Sequence, residues 1–250
     1  KFQGYGNNYD FMYIAIRRPD GYVGKPPKLG NQVFTPVFGS ANAPLFKANN
    51  HVVDFTLQKN SNFATQAVDW NATARLISGK KLTPNTNAAE TSNQYQVFDY
   101  QSGTSSYASG SGIRFGWLWK RHAGFDVVTY KGVGPQIAQI KHNLNKVPEM
   151  MWVKNRDLTA SWQVYHNGVN GGTNPENYFL ELNQNYGEDT GGRWNNTAPT
   201  AIHFTLGVQD QVNGAASNNY DYIAMLFASV DGISKVGYYI GDGTNNRQIT

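Results

Sequence analysis

"SVDGISKVGYYIGDGT", Ser229 to Thr244, decides how this chain is to be read. It stands close to the C-terminus, yet it has the form of an opening. The same order of residues occurs earlier in "RHAGFDVVTYKGVG", Arg121 to Gly134: a small-polar turn around a glycine, a hydrophobic residue, then valine, tyrosine and G-x-G. Upstream of each glycine lies an apolar run ending in polar residues, "YIAMLFASVD" before Gly232 and "RFGWLWKRHA" before Gly124. A third junction, "FMYIAIRRPDG", closes on Gly21. Three junctions at near-equal intervals define two units, and self-similarity of this kind sets the domain plan before any local motif does. The interval is too long for a helical solenoid and suits a small β domain. We therefore expect an all-β protein of two related antiparallel β-sandwich, jelly-roll-like units in tandem, spanning residues 21–123 and 124–231. Residues 1–20 are expected to be a closing strand of a preceding unit or an arm, and 232–250 to be the opening strands of a further unit. The chain thus reads as a window cut from a longer protein or a proteolytic product, its ends closed by further repeats or by neighbouring copies in preference to the alternative, that they meet within one chain.

The composition points the same way. The 250 residues include 26 Gly, 28 Asn and 15 Tyr, a mixture of turn formers and strand aromatics. Runs that read as strands are "FDVVTY" (125–130), "MMWVKN" (150–155), "WQVYHN" (162–167), "NYFLEL" (177–182), "AIHFTLG" (201–207) and "DYIAMLFA" (221–228). In the first unit their counterparts are "VVDFTLQK" (52–59), "VDWNA" (68–72), "KKLTPNT" (80–86), "YQVFDYQ" (95–101) and "IRFGWLWK" (113–120). Across the units Lys59 matches Lys154, Trp70 matches Trp162 and Phe98 matches Phe204. Gly24 to Gly39, with Pro26, Pro27 and Pro36, reads as an irregular arm, because proline withholds a ladder donor. Ala88 to Glu90 can at most end a helical turn.

Charge excludes some functions. Charged residues make up 15% of the chain and the net charge is +4, with the cations scattered singly. A nucleic-acid groove needs a basic stripe with interleaved aromatics, so no nucleic-acid partner is expected. The longest apolar run, Tyr222 to Val230, is too short to cross a bilayer, so no membrane insertion is expected either. There is no cysteine, hence neither a disulfide nor a Cys-based zinc site.

Several motifs resemble a tandem β repeat of tailed-bacteriophage virion proteins, many of them marine. They are His142-Asn143-Leu144 before Val147-Pro148, Trp152-Val153-Lys154, Trp194-Asn195 leading to Pro199-Thr200, Phe204-Thr205-Leu206-Gly207, Val212-Asn213 and the "GISKVGYYIGDGT" restart. The likeness is close over Gly124 to Thr250 and weaker over Gly21 to Ala123. It implies a tail-fibre or other virion-surface protein, extracellular, whose partners are copies of itself, other virion proteins and a host cell-surface glycan. The competing expectation is a carbohydrate-binding β-sandwich module of a secreted bacterial protein.

Catalysis is not expected. Glu149, Glu176, Glu181, Glu188 and Asp189 form no facing pair of the kind glycoside hydrolysis needs, and they read as turn carboxylates. His142, His166 and His203 are too dispersed for a metal site; His142 reads as a turn cap and His203 as an outward strand residue. No cofactor is expected. A calcium ion can use loop oxygens such as those of "GDGTNN" (241–246) and "DQVNGAASNNYD" (210–221), but hairpin turns require the same residues. The tryptophans of strand-like runs are first of all core residues. Trp194, in "GGRWNNTAP", is the exception: with Arg193 and Tyr186 in Gly/Asn-rich loops it reads as a binding platform.

Overall fold

A computed structural model describes residues 27–40, 44–61, 69–92, 97–98, 100–104, 113–215, 219–241, 243 and 248. The N-terminal strand expected in residues 1–20 lies outside them, as does most of "GDGTNN". Sixteen strands occur among the described residues: β1 (Phe34–Phe38), β2 (Phe46–Lys47), β3 (Phe55–Ser61), β4 (Asn71–Ala74), β5 (Lys80–Lys81), β6 (Thr91–Ser92), β7 (Gly103–Thr104), β8 (Ile113–Trp119), β9 (Phe125–Lys131), β10 (Ala138–Lys141), β11 (Met150–Asn155), β12 (Gln163–His166), β13 (Tyr178–Glu181), β14 (Asp189–Thr190), β15 (His203–Leu206) and β16 (Asp221–Phe227). The described residues contain no α-helix, only short 3-10 turns. The protein is all-β, and every ladder is antiparallel.

The self-similarity of the sequence reappears as strand order and register. One sheet runs β1-β8-β3-β4, and the larger sheet, read from its other edge, runs β9-β16-β11-β12-β13-β14. Equivalent ladders hold equivalent pairs. Phe55 faces Trp119 and Lys59 faces Phe115 in β3 and β8, as Met150 faces Phe227 and Lys154 faces Ile223 in β11 and β16. Phe34 faces Trp119 as Phe125 faces Phe227, and Phe55 faces Ala74 as Met150 faces His166. A two-stranded ladder accompanies each sheet, β2 with β7 and β10 with β15. A slip of one residue would send every side chain to the opposite face, so matching registers mean matching faces.

Those faces make three apolar layers. On β16, Ile223, Met225 and Phe227 point into a middle core, while Ala224 and Leu226 point into an outer one. The middle core joins Phe55 and Leu57 of β3 and Ala72 and Ala74 of β4 to Phe125 and Val127 of β9, so the equivalent faces of the two sheets pack on each other. Outside the large sheet, Met151, Val153 and Tyr165 pack against Phe204 and Leu206 of β15; outside the small one, Leu118 packs with Phe46, Val53 and Phe98. A central strand with both faces covered reads as a continuous apolar run, which is why "YIAMLF" shows no alternation.

Two local readings change. Gly24 to Gly39 is not wholly an irregular arm: Phe34–Phe38 forms β1, with Pro36 opposite Trp117. Because β1 is an edge strand of its sheet, the missing N–H of Pro36 can face away from the ladder at little cost. Ala88 to Glu90 carries no helical turn. It instead runs beside the end of β11, where the Glu90 N–H donates to the Arg156 carbonyl at 2.7 Å and the Arg156 guanidinium grips the Glu90 carboxylate through two bonds of 2.7 and 3.0 Å.

Beside this contact lies Lys154, which is fully buried. Its Nζ donates to the carbonyls of Asn155 (2.7 Å), Leu158 (3.0 Å) and Asn87 (3.4 Å), tying the two halves of the chain together. Burial pulls its pKa down to about 8. Lys154→Met should cost about 1–3 kcal/mol in a urea denaturation, the penalty for leaving buried carbonyls without donors.

Candidate functional site

The three residues expected to form a platform are separated by the fold. Tyr186 is 71% exposed, in the loop between β13 and β14. Arg193 is held by the protein itself: its Nε donates to Gln163 Oε1 at 2.9 Å and its guanidinium lies 4.5 Å over the Phe179 ring. Trp194 is not on a platform at all. Only 1% exposed, it fills the outer core edge-on to Tyr165 at 5.9 Å, and its Nε1 donates to the Tyr178 carbonyl at 2.8 Å. The loop composition misled because its special backbone serves another purpose. Gly192, Asn195 and Asn196 all have positive φ, at 64°, 52° and 48°, and the turn they make drives the indole inward.

Among the described residues, four of the five candidate carboxylates, all but Glu176, are hydrogen-bonded within the fold. Glu149 Oε2 accepts from the Ser229 N–H, Glu188 Oε2 from the Asn170 N–H at 2.7 Å, and Glu181 Oε1 from Gln163 Nε2 at 3.2 Å. Asp189 accepts from the Thr190 N–H. Among the described residues no group of three His, Asp or Glu side chains could hold a metal ion. Asp210, in the second loop considered for calcium, accepts from the Ala215 N–H at 2.6 Å.

Three of the five histidines share one device. His122 Nδ1 accepts from the Gly124 N–H at 3.0 Å, His142 Nδ1 from the Leu144 N–H at 3.2 Å and His166 Nδ1 from the Gly168 N–H at 2.9 Å. An imidazole that accepts through Nδ1 is neutral and carries its proton on Nε2. His142 therefore caps its turn as expected, and donates from Nε2 to the Thr200 carbonyl at 3.1 Å. Burial lowers the pKa of all three, that of His122 to about 4. His51 differs: its Nδ1 donates to the Val52 carbonyl at 2.9 Å and its Nε2 meets Thr35 Oγ1 at 3.0 Å, while burial lowers its pKa too.

Two features remain that face outward. The first is an aromatic face on the small sheet, carried by alternate residues of β8. Its lower end, Trp119, is covered by Phe125 at 6.0 Å. Further along, Trp117 is 38% exposed and lies 5.1 Å from Trp70, which also meets Phe115 edge-on at 5.3 Å. Lys59 Nζ sits 5.5 Å over the Trp70 ring, and Phe38 of β1, paired with Phe115, is 73% exposed. Trp117 is thus the outward-facing tryptophan that sequence reasoning sought at position 194. Its signal was faint: the same alternation places Trp119 inside and Trp117 beyond the cover.

The second feature is a cavity of about 420 Å³ where the ends of both sheets meet the C-terminal segment. Phe34, Trp119, Met150 and Phe227 line one side, and Ile233 to Gly237 the other. That segment turns much as the Gly124 junction does: the Val230–Ser234 bridge, one residue wider, stands in the place of the His122–Phe125 bridge. It then continues without strand structure, with Tyr238 edge-on to His166 at 6.2 Å.

No curated protein and no solved structure matches this chain. Residues 77–249 match a family model described as a domain of unknown function, DUF7483, and since that span takes in all of the larger sheet and well over half of the sequence, the protein belongs to that family.

Proposed function

We propose that this protein is a non-enzymatic structural and adhesive component of a bacteriophage particle, a tail fibre or another virion-surface protein that contacts a host glycan. In this reading residues 21–123 and 124–231 are two jelly-roll-like sandwich units in tandem. The matching strand orders and registers support the units, and the resemblance of the restart motif to phage virion repeats supports the setting.

The observation that carries adhesion is the aromatic face of exposed Phe38 and Trp117, continued by half-buried Trp70 beside Lys59. Flat aromatic surfaces next to a cation suit the apolar faces and hydroxyls of sugar rings. The same face favours a second reading, a carbohydrate-binding module of a secreted bacterial protein. Immunogold labelling of purified particles separates the two. On a glycan array, Trp117→Ala and Phe38→Ala should each weaken retention about threefold to tenfold, the worth of one aromatic contact. Unchanged retention in both variants would remove the aromatic face from the proposal, and release of reducing sugar would replace adhesion with glycan cleavage.

A further inference from the structure

The cavity at the sheet ends contains a hydrogen-bond donor that the fold leaves unused. His122 is 5% exposed and lines the cavity. Its Nδ1 is occupied by the Gly124 N–H, so Nε2 carries the proton, and no group among the described residues accepts it. Every other imidazole bordering this region is satisfied: His166 takes the Gly168 N–H and bonds the Gly237 backbone. The His122 turn is closely packed, for a Cβ on Gly124 would collide with Ser234 Oγ and the His122 ring. The opposite wall is tied down as well. Ser234 Oγ donates to the Ala228 carbonyl at 2.9 Å, and the Val236 N–H to Ser229 Oγ at 3.0 Å.

Around this donor the lining is apolar and ring-rich. Phe34 and Trp119 lie 4.9 Å apart, tilted, and Phe227 and Met150 continue the wall. A mostly apolar space with one convergent polar group is the usual form of a small-molecule site. The donor's tautomer then sets the ligand's polarity: a group that can only donate selects an oxygen acceptor and rejects an N–H in its place. Lys235, exposed at the rim of the opposite wall, adds a positive charge.

We propose that the cavity binds a small aromatic ring bearing a carbonyl or carboxylate oxygen, with the ring among Phe34, Trp119 and Phe227 and the oxygen accepting from His122 Nε2–H. The site does not depend on the adhesive role: it shares Trp119 with the covered end of the aromatic face, but Phe38, Trp70 and Trp117 do not line it.

Benzamide is the probe, with toluene as a ring of similar size that has no acceptor. In the full chain, benzamide should shift the His122 Nε2 resonance in an imidazole-selective nitrogen–proton correlation spectrum, and toluene should bind more weakly. His122→Asn keeps an acceptor for the Gly124 N–H, as asparagine does in an Asx-turn, but its shorter side chain withdraws the donor from the position of Nε2; its affinity for benzamide should fall about threefold to tenfold, the worth of one hydrogen bond. Val236→Trp, which fills the cavity from the opposite wall, should abolish binding independently of His122. The proposal is overturned if benzamide leaves the His122 resonance unmoved, if wild type and H122N bind it equally, or if toluene binds as well as benzamide.

Discussion

Trp194→Ala should lower the unfolding free energy by about 3–5 kcal/mol, the range for removing a large aromatic from a packed core. The indole is almost fully buried among Tyr165, Phe179 and Phe204. Its loss leaves a cavity and also strips the Tyr178 carbonyl of its Nε1–H donor. Tyr186→Ala, in a neighbouring loop but exposed, should change stability by no more than about 0.5 kcal/mol. The contrast, read in parallel urea titrations, distinguishes a core tryptophan from a surface one. A Trp194→Ala protein as stable as wild type would mean that the indole does not occupy the core.

Acid should weaken the protein sharply over a defined interval. Burial holds the His122 pKa near 4, below the 6.5 of an exposed imidazole, with the nearby Lys120 charge acting in the same direction. Between those values only the unfolded chain takes up the proton. The stability contributed by neutral His122 is therefore complete above about pH 6.5 and is lost as pH falls towards about 4, a change on the order of 3 kcal/mol. His51, His142 and His166 are lowered for the same first cause and steepen the loss. Lys154 acts at the other end: its folded pKa of about 8 lies below 10.5, so stability rises as pH climbs through that interval. Urea midpoints taken at about pH 4 and about pH 7 should therefore differ strongly in wild type. In His122→Asn the difference should shrink, because the turn acceptor remains while the titrating group is gone. An equal pH dependence in the two proteins would show that His122 does not stay neutral in the fold.

What was legible in the sequence follows from locality. Strand periods, glycine and asparagine turns and the recurrence around Gly124 and Gly232 are properties of short stretches. Accordingly "MMWVKN" coincides with β11, "FDVVTY" lies within β9, and "YIAMLF" within β16. The pairing of Lys59 with Lys154 is likewise the register found in the two sheets. Ala138–Lys141 forms β10 without a clear strand signal, because four residues with one partner strand carry little periodicity. A capping role for His142 was readable from its turn, since cap and capped N–H stand two residues apart.

Which face of each strand meets water was decided only by tertiary structure. Trp117 and Trp119 stand on one face of one strand with the same local sequence signal, and they differ because the second sheet covers Trp119 and ends before Trp117. Trp194 has the loop composition of a surface residue, yet the space beside Tyr165 and Phe179 needed filling and the Asn195–Asn196 turn could deliver an indole there. Lys59 and Lys154 are equivalent by register, but only Lys154 is enclosed, because the segment around Asn87 docks over it. A repeat specifies identical local geometry in both copies, whereas burial depends on what each copy packs against, and packing two equivalent faces together with an offset leaves equivalent residues in different surroundings.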